Sequence, residues 1–339
     1  MTSEKNLMDI KHLNVSFWTE DGPLTAIDDA TFSIQKGESV GVVGESGCGK
    51  SVTAESILQL HDDQLTDYGG EIIFKNKNIL SESESALRKI RGNAISMIFQ
   101  DPMSSLNPVY TIGNQLIESL MLHRKVSKKK ARELAIEYLR LTGIPSPEMR
   151  IDEYPHELSG GMRQRVMIAL AICCEPELLI ADEPTTALDV TTQAQILDVL
   201  SELQEKTDMG IMMITHDLAV VAETCDRVVV MYLGQVIEEA SVEHIFENPL
   251  HPYTKSLLRS MPSLESARDE MLFEIEGTVP SLENIPAGCR FANRCPFATE
   301  QCFLEEPVLE NASDSHKIRC WNYKEIKEGG EITYDRTSS

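Results

Sequence analysis

The segment Gly44–Ser51, GESGCGKS, constrains what this chain can fold into more than any other. It fits G-x-x-x-x-G-K-[ST] and has the flanks such a loop needs, the apolar run Ser39–Val43 before it and a helical pattern over residues 50–60 after it. Glycines let backbone N–H groups turn inward around phosphate oxygens. The following helix points its positive N-terminal end at the same anion. Lys50 is placed to reach the β- and γ-phosphates, and the Ser51 hydroxyl to ligate Mg²⁺. Gly44, Glu45, Ser46, Gly47, Cys48, Gly49, Lys50, Ser51 and Val52 are therefore the candidate nucleotide-binding residues. Cys48 reads as a small loop filler, not as a redox switch.

A loop of this kind needs a sheet to project from, and the rest of the chain supplies one. Residues 8–43 alternate in a β-like way, YGGEIIFKNKNI reads as a turn and an edge strand, and residues 94–100 as another apolar strand. Residues 105–175 then become mostly helical. Within SKKKARELAIEYLRLTG, Ser127 is the expected N-cap and Gly143 the expected residue after the C-cap, with Leu134, Tyr138 and Leu141 on one face. The basic run Lys128–Lys130 is read as a solvated first turn. After that come a buried-strand run (ELLIAD), an amphipathic helix (TQAQILDVLSELQEKT), a strand (GIMMITH), a helix (DLAVVAETC) and a hairpin (DRVVVMYLGQVIEEA). Alternating β and α elements predict an α/β core with a mainly parallel sheet.

The run ELLIADEP completes the chemistry. Apolar residues deliver Asp182 and Glu183 to the end of a predicted buried strand. A carboxylate there can hold Mg²⁺ or its water shell, which suits Asp182. The next carboxylate, Glu183, can orient and polarise an attacking water.

Four further stretches carry a family resemblance: LSGGMRQR (Leu158–Arg165), DEPTTALD (Asp182–Asp189), FQDP with Gln100, and ITHD with His216. Their order and spacing resemble the ATP-binding subunits of ABC transporters over about residues 6–245. The resemblance implies an α/β fold: an ABC-type P-loop nucleotide-binding domain over 1–245, with a helical signature subdomain at about 105–175. It gives Phe17 the role of the aromatic that stacks on adenine. Gln100 becomes the residue that senses Mg²⁺ and water. Ser159, Gly160 and Gly161 become the signature that closes on a γ-phosphate held by a second subunit; a serine and glycine amides at a helix start suit an anion. Asp189 would link two sites across a dimer, and His216 would contact the γ-phosphate. One chain cannot complete an ATP site in this family. A second ABC ATP-binding subunit, identical or paralogous, is implied, together with two transmembrane permease subunits and an extracytoplasmic substrate-binding protein. ATP would favour the closed dimer because it binds that form better.

From about residue 245 the chain becomes Pro-rich and reads as a separate C-terminal appendage, 246–339, ending in a polar stretch expected to fray. NPLHPYTKSLLRSMP (Asn248–Pro262) and IPAGCRFANRCPFATEQC resemble the C-terminal extension of subunits serving dipeptide, oligopeptide and nickel importers. The residues of HPYT are read as a proline-bounded turn feeding a short helix, Thr254–Ser260, with its histidine and tyrosine in packing roles. Four cysteines gather here: Cys289, Cys295, Cys302 and Cys320. Their C-x5-C-x6-C spacing, followed by seventeen residues to Cys320, is a poor match to zinc ribbons and to ferredoxin runs. Four thiolates are nevertheless the count for a [4Fe–4S] cluster, which some of the resembled subunits carry. Three outcomes stay open: [4Fe–4S] as the leading one, zinc, and no metal or disulfides. Cys173, Cys174 and Cys225 lie in apolar helical patterns and read as buried small hydrophobes.

The net charge of −23 argues against nucleic acid as a partner. IMMIT and RVVVMYLG are far short of a membrane span, and the N-terminus lacks a signal-peptide core. The expectation is a peripheral subunit on the cytoplasmic face of a membrane, where disulfides are disfavoured. Within that frame the chain reads as a transport-coupled ATPase for di- and oligopeptides. The alternatives are the same role for nickel or another small chelate, a soluble non-transport ABC ATPase, and an iron or redox sensor.

Overall fold

The structure, a computed structural model, describes residues 6–101, 105–186, 188–261 and 275–329. The elements run β1 (Asn6–Thr19), β2 (Gly22–Gln35), β3 (Ser39–Val43), α1 (Lys50–Ile57), β4 (Thr66–Phe74), β5 (Lys77–Asn78), α2 (Glu84–Ile90) and β6 (Ile95–Ile98). Four helices follow: α3 (Ile112–Arg124), α4 (Lys128–Leu141), α5 (Pro147–Arg150) and α6 (Gly160–Ile172). Then come β7 (Leu178–Asp182), α7 (Val190–Thr207), β8 (Gly210–Ile214), α8 (Leu218–Thr224), β9 (Arg227–Tyr232) and β10 (Gln235–Ser241). The C-terminal part holds α9 (Val242–Glu247), α10 (Pro252–Arg259), α11 (Glu300–Leu304), β11 (Glu310–Ser313), β12 (His316–Ile318) and α12 (Tyr323–Gly329). The polar tail, from residue 330 on, lies outside the described residues, as do 102–104, Ala187 and 262–274.

The chain divides into two compact units. The first comprises residues 1–9, 33–39 and 73–215. Its strands β6, β7 and β8 are parallel neighbours, with Ile98 opposite Ala181 and Asp182 opposite Ile214. All three are buried along their whole length, as expected of mostly apolar parallel strands covered on both faces. The expected helical region is present: α3, α4 and α6 pack on one another. Ser127 caps α4 by accepting from the Lys130 N–H, and Gly143 follows the helix with φ +74°. The fully buried face of α4 is Ala131, Ala135, Tyr138 and Leu139, while Leu134 and Leu141 are half-buried. Tyr138, common to the expected and the observed face, donates its hydroxyl to Glu175.

The second unit comprises residues 10–32, 40–72 and 216–339. Here β3 pairs in parallel with β9, and the β9–β10 hairpin turns through Leu233 and Gly234, both at positive φ. Two short strands of the C-terminal region extend this sheet. β12 pairs antiparallel with β10, and β11 with β12. One core joins Val43, Val230, Tyr232, Ile237, Tyr253 and Phe291, with Cys289 and Cys295 packed against it. The sequence hid this because the added strands are short and hydrophilic; Glu238 and His316 meet inside as a hydrogen-bonded pair at 2.7 Å.

YGG is also not a turn. It lies inside β4, where Gly70, at φ +81°, approaches the backbone so closely that a Cβ would meet the His12 carbonyl oxygen at 2.1 Å. Only glycine tolerates both demands. The HPYT helix starts two residues earlier than expected, with Pro252 in its first turn and the His251 ring accepting from the Tyr253 N–H.

Candidate functional site

In the second unit the phosphate loop leaves β3 and ends in α1, as the motif requires. Gly44 has φ +153°, and a Cβ there would lie 2.3 Å from the Met231 carbonyl oxygen. Gly49 has φ +102°, and its Cβ would meet Ile27 at 2.5 Å. These two positions therefore admit no side chain, which holds the loop close to β9 and β2. Lys50 is buried, with Nζ donating to the carbonyls of Gly44 (2.7 Å) and Glu45 (3.0 Å). Those are the loop's own acceptors, so the ammonium lies folded over the loop. Ser51 and Val52 are half-buried at the start of α1, and Ser46 and Gly47 are exposed. Cys48 is buried, and burial pushes its thiol up, which fits a filler and not a reactive group. The Phe17 ring is half-buried and meets His61 edge-on at 5.0 Å between centroids.

Two contacts on Glu45 were invisible in the sequence. Its carboxylate receives two hydrogen bonds from the buried Arg294, at 2.7 and 3.1 Å. Its N–H donates to the Tyr253 hydroxyl at 2.8 Å. Sequence distance hid both, since Tyr253 lies 208 and Arg294 249 positions away along the chain.

In the first unit, β7 delivers Asp182 buried and Glu183 half-buried. Glu183 has φ +47°, an uncommon conformation for a residue with a side chain, fixed by its N–H bond to the Ile214 carbonyl at 2.8 Å. Its Oε2 accepts from Gln100 Nε2 and from Thr186 Oγ1, both at 3.0 Å. Gln100, just beyond β6, thus meets Glu183 directly.

Ser159 caps α6 by accepting from the Met162 N–H at 3.3 Å, with Gly160 exposed and Gly161 half-buried in the first turn. Two residues of the same stretch, not singled out from sequence, tie this helix to its surroundings. Buried Gln164 donates to the Pro184 carbonyl at 2.6 Å, and Arg165 reaches the Thr142 carbonyl, Thr192 and Gln195. Asp189 caps α7 by accepting from the Thr192 N–H and hydroxyl, which hold its carboxyl below the usual range. His216 belongs to the second unit and is exposed just before α8, whose cap is Asp217.

The four C-terminal cysteines converge. Cys289, Cys295, Cys302 and Cys320 all line one small cavity, together with His251, Phe291 and Trp321. Burial pushes the Cys289 thiol up to about 11, and Cys295 and Cys320 up to about 12. Among the described residues, no group of three or more His, Cys, Asp or Glu side chains stands close enough to hold an ion. The donors for a metal are gathered but not preassembled. Cys173 and Cys174 are buried and Cys225 half-buried, as small hydrophobes should be.

A strand–phosphate loop–helix, a strand-end Asp-Glu pair beside a glutamine, and a capped Ser-Gly-Gly helix start together define an ATP-hydrolysing nucleotide-binding cassette. The comparisons agree. Residues 27–186 match the ABC transporter family, and residues 237–302 match the family described as oligopeptide/dipeptide transporter, C-terminal region. The probable peptide ABC transporter ATP-binding protein y4tR of Sinorhizobium fredii is 52% identical over 94% of this chain and 96% of its own length. The dipeptide transport ATP-binding protein DppD of Bacillus subtilis is 50% identical, over 94% of this chain and 95% of its own. Among solved structures, the ATP-binding cassette MJ0796 in a dimeric post-hydrolysis state with ADP and Pi superposes with a TM-score of 0.64. It is 27% identical and covers 69% of this chain and 98% of its own. The chain belongs to the ATP-binding proteins of peptide ABC transporters, and it is an ATPase that uses ATP with Mg²⁺.

Proposed function

We propose that this chain powers the import of di- and oligopeptides by hydrolysing ATP at the cytoplasmic face of a membrane transporter. The observation that carries the cargo is the match of residues 237–302 to the oligopeptide/dipeptide C-terminal region. Among the described residues no helix is long and apolar enough to cross a membrane; in this reading permease subunits form the path. Exposed apolar side chains on and around the helical region, including Val109, Tyr110, Leu122 and Met149, suit contact with them.

In this reading Lys50 leaves its carbonyl acceptors for the β- and γ-phosphates, and Phe17 stacks on adenine. Ser51, Gln100 and Asp182 hold Mg²⁺. Glu183 takes the proton of the attacking water while Gln100 fixes its carboxylate, a role its hydrogen bond to Glu183 supports. Ser159, Gly160 and Gly161 act on the γ-phosphate held by a second ATP-binding subunit, paralogous or identical. Asp189 links the two sites, and His216 contacts the γ-phosphate. Residues 1–245 carry this work and 246–339 form the importer-specific extension. An extracytoplasmic binding protein selects the peptide.

The four thiols lining one cavity match a [4Fe–4S] cluster in number, not in preassembled geometry, with zinc as the alternative; Cys289, Cys295, Cys302 and Cys320 would have to close together to hold it. Bound there, it would cross-link the segments that carry the cysteines. Anaerobic purification with iron, sulfide and zinc analysis decides the metal. A colourless protein with one zinc per chain would remove the cluster. For the function, purified transporter in vesicles should show ATP-dependent uptake of labelled dipeptide or oligopeptide that Glu183→Gln abolishes. Uptake of a nickel chelate with none of peptide would refute the assignment.

A further inference from the structure

Glu45 is an awkward residue to find in a phosphate loop. Its carboxylate adds negative charge beside the position an ATP triphosphate must occupy, and Coulomb repulsion there disfavours binding. The fold answers with Arg294, whose side chain is 4% exposed and which forks onto both carboxylate oxygens. Such bidentate pairs fix orientation as well as charge. Arg294 is itself held: Nη1 also reaches the Tyr232 hydroxyl at 3.3 Å, Nε donates to the Glu276 carbonyl, and Nη2 reaches the Ile275 carbonyl. The backbone of the same loop residue is anchored separately, through the Glu45 N–H to the buried Tyr253 hydroxyl. Tyr253 is fixed in turn by ring contacts with Tyr232 at 4.8 Å and Phe291 at 5.4 Å. The Glu45 carbonyl is one of the acceptors on which Lys50 rests. One residue therefore joins the C-terminal clamp to the lysine that serves the phosphates.

We propose that Arg294 and Tyr253 are positioning residues for ATP: from outside the phosphate loop they neutralise Glu45 and hold its backbone, so that the loop meets the triphosphate already ordered. Neither touches nucleotide. Their contribution is to binding, because a pre-ordered loop loses less conformational freedom on complexation and an ion-paired Glu45 repels the phosphates less.

The test is MgATP titration by calorimetry on the full-length chain in a Glu183→Gln background, with thermal unfolding measured in parallel. The proposal rests on this loop being the ATP site, and the parent titration checks that separately: no binding by the parent would refute the site itself. Arg294→Gln should weaken MgATP binding about tenfold, as expected when one member of a charge pair is left alone near a bound anion. Adding Glu45→Gln to that chain should recover most of the loss, because the repelling charge is then gone. A merely structural arginine would lower the unfolding temperature without that recovery. Binding by Arg294→Gln within about twofold of the parent, or a loss that Glu45→Gln does not relieve, overturns the proposal. Tyr253→Phe keeps the ring in the core and is read separately. About threefold weaker binding is expected, and unchanged binding overturns the proposal whatever Arg294→Gln does.

Discussion

Two glutamates that the proposed function places beside ATP are held by different kinds of partner. Glu45, in the phosphate loop, is locked by a buried guanidinium. Glu183, just past the end of β7, accepts from the Gln100 amide and the Thr186 hydroxyl. An arginine answers a carboxylate's charge and ends its availability. Neutral donors orient a carboxylate and leave its charge for water. On the proposed function, Glu45 is the scaffold acid and Glu183 the working one.

The sharpest way to break this contrast is to neutralise each acid in turn. Glu183→Gln should lower turnover at this site at least a hundredfold, the scale of a lost general base, with MgATP affinity retained. Steady-state hydrolysis and equilibrium binding check it; full activity would mean that a partner subunit's site does the work. Removing the neutral orienter should do less. Gln100→Ala is expected to lower kcat about tenfold with a small change in binding, since Glu183 keeps Thr186 but loses its aim. A loss of affinity larger than the loss of kcat would show that Gln100 acts mainly through nucleotide or Mg²⁺.

A third prediction tests the clamp side through pH. Burial lowers His251, the cap of α10, to about 4 in the folded chain. The unfolded chain, with a histidine near 6.5, binds a proton that the folded one refuses. Stability from this group is therefore complete above pH 6.5 and falls as pH drops toward 4, by about 3 kcal/mol. Thermal unfolding between those values reads it, and His251→Asn, which keeps a capping acceptor, should flatten the curve. The smallest effect is local: Ser159→Ala removes the cap of the signature helix and should cost about 1 kcal/mol. Unfolding in denaturant measures that loss.

What the sequence disclosed follows range. The phosphate loop, Asp182 with Glu183, and Ser127 as a cap are written within a few neighbouring residues, and local physics decides them. Gly70 was misread because a glycine that admits a close backbone approach looks, locally, like a glycine that makes a turn. The Arg294–Glu45 pair, the Gln164 tether and the docking of β12 on β10 depend on partners that only the fold brings together. The cysteines fall between. Their spacing matched no metal motif, yet the fold lines one cavity with all four.

The order in which the second unit is assembled along the chain has a consequence for synthesis. Its early pieces, residues 10–32 and 40–72, contain the phosphate loop, but its last piece begins at residue 216. Domains form as the chain emerges, N-terminal parts first. The loop must therefore leave the ribosome and wait for Tyr253 and then Arg294 before its outer face is held. A product stopped before residue 294 would carry all the ATP-binding motifs and still lack half of its clamp. If the proposed clamp orders the loop, the last-made part of the polypeptide would act as a check on length: only a chain translated past Arg294 could complete it.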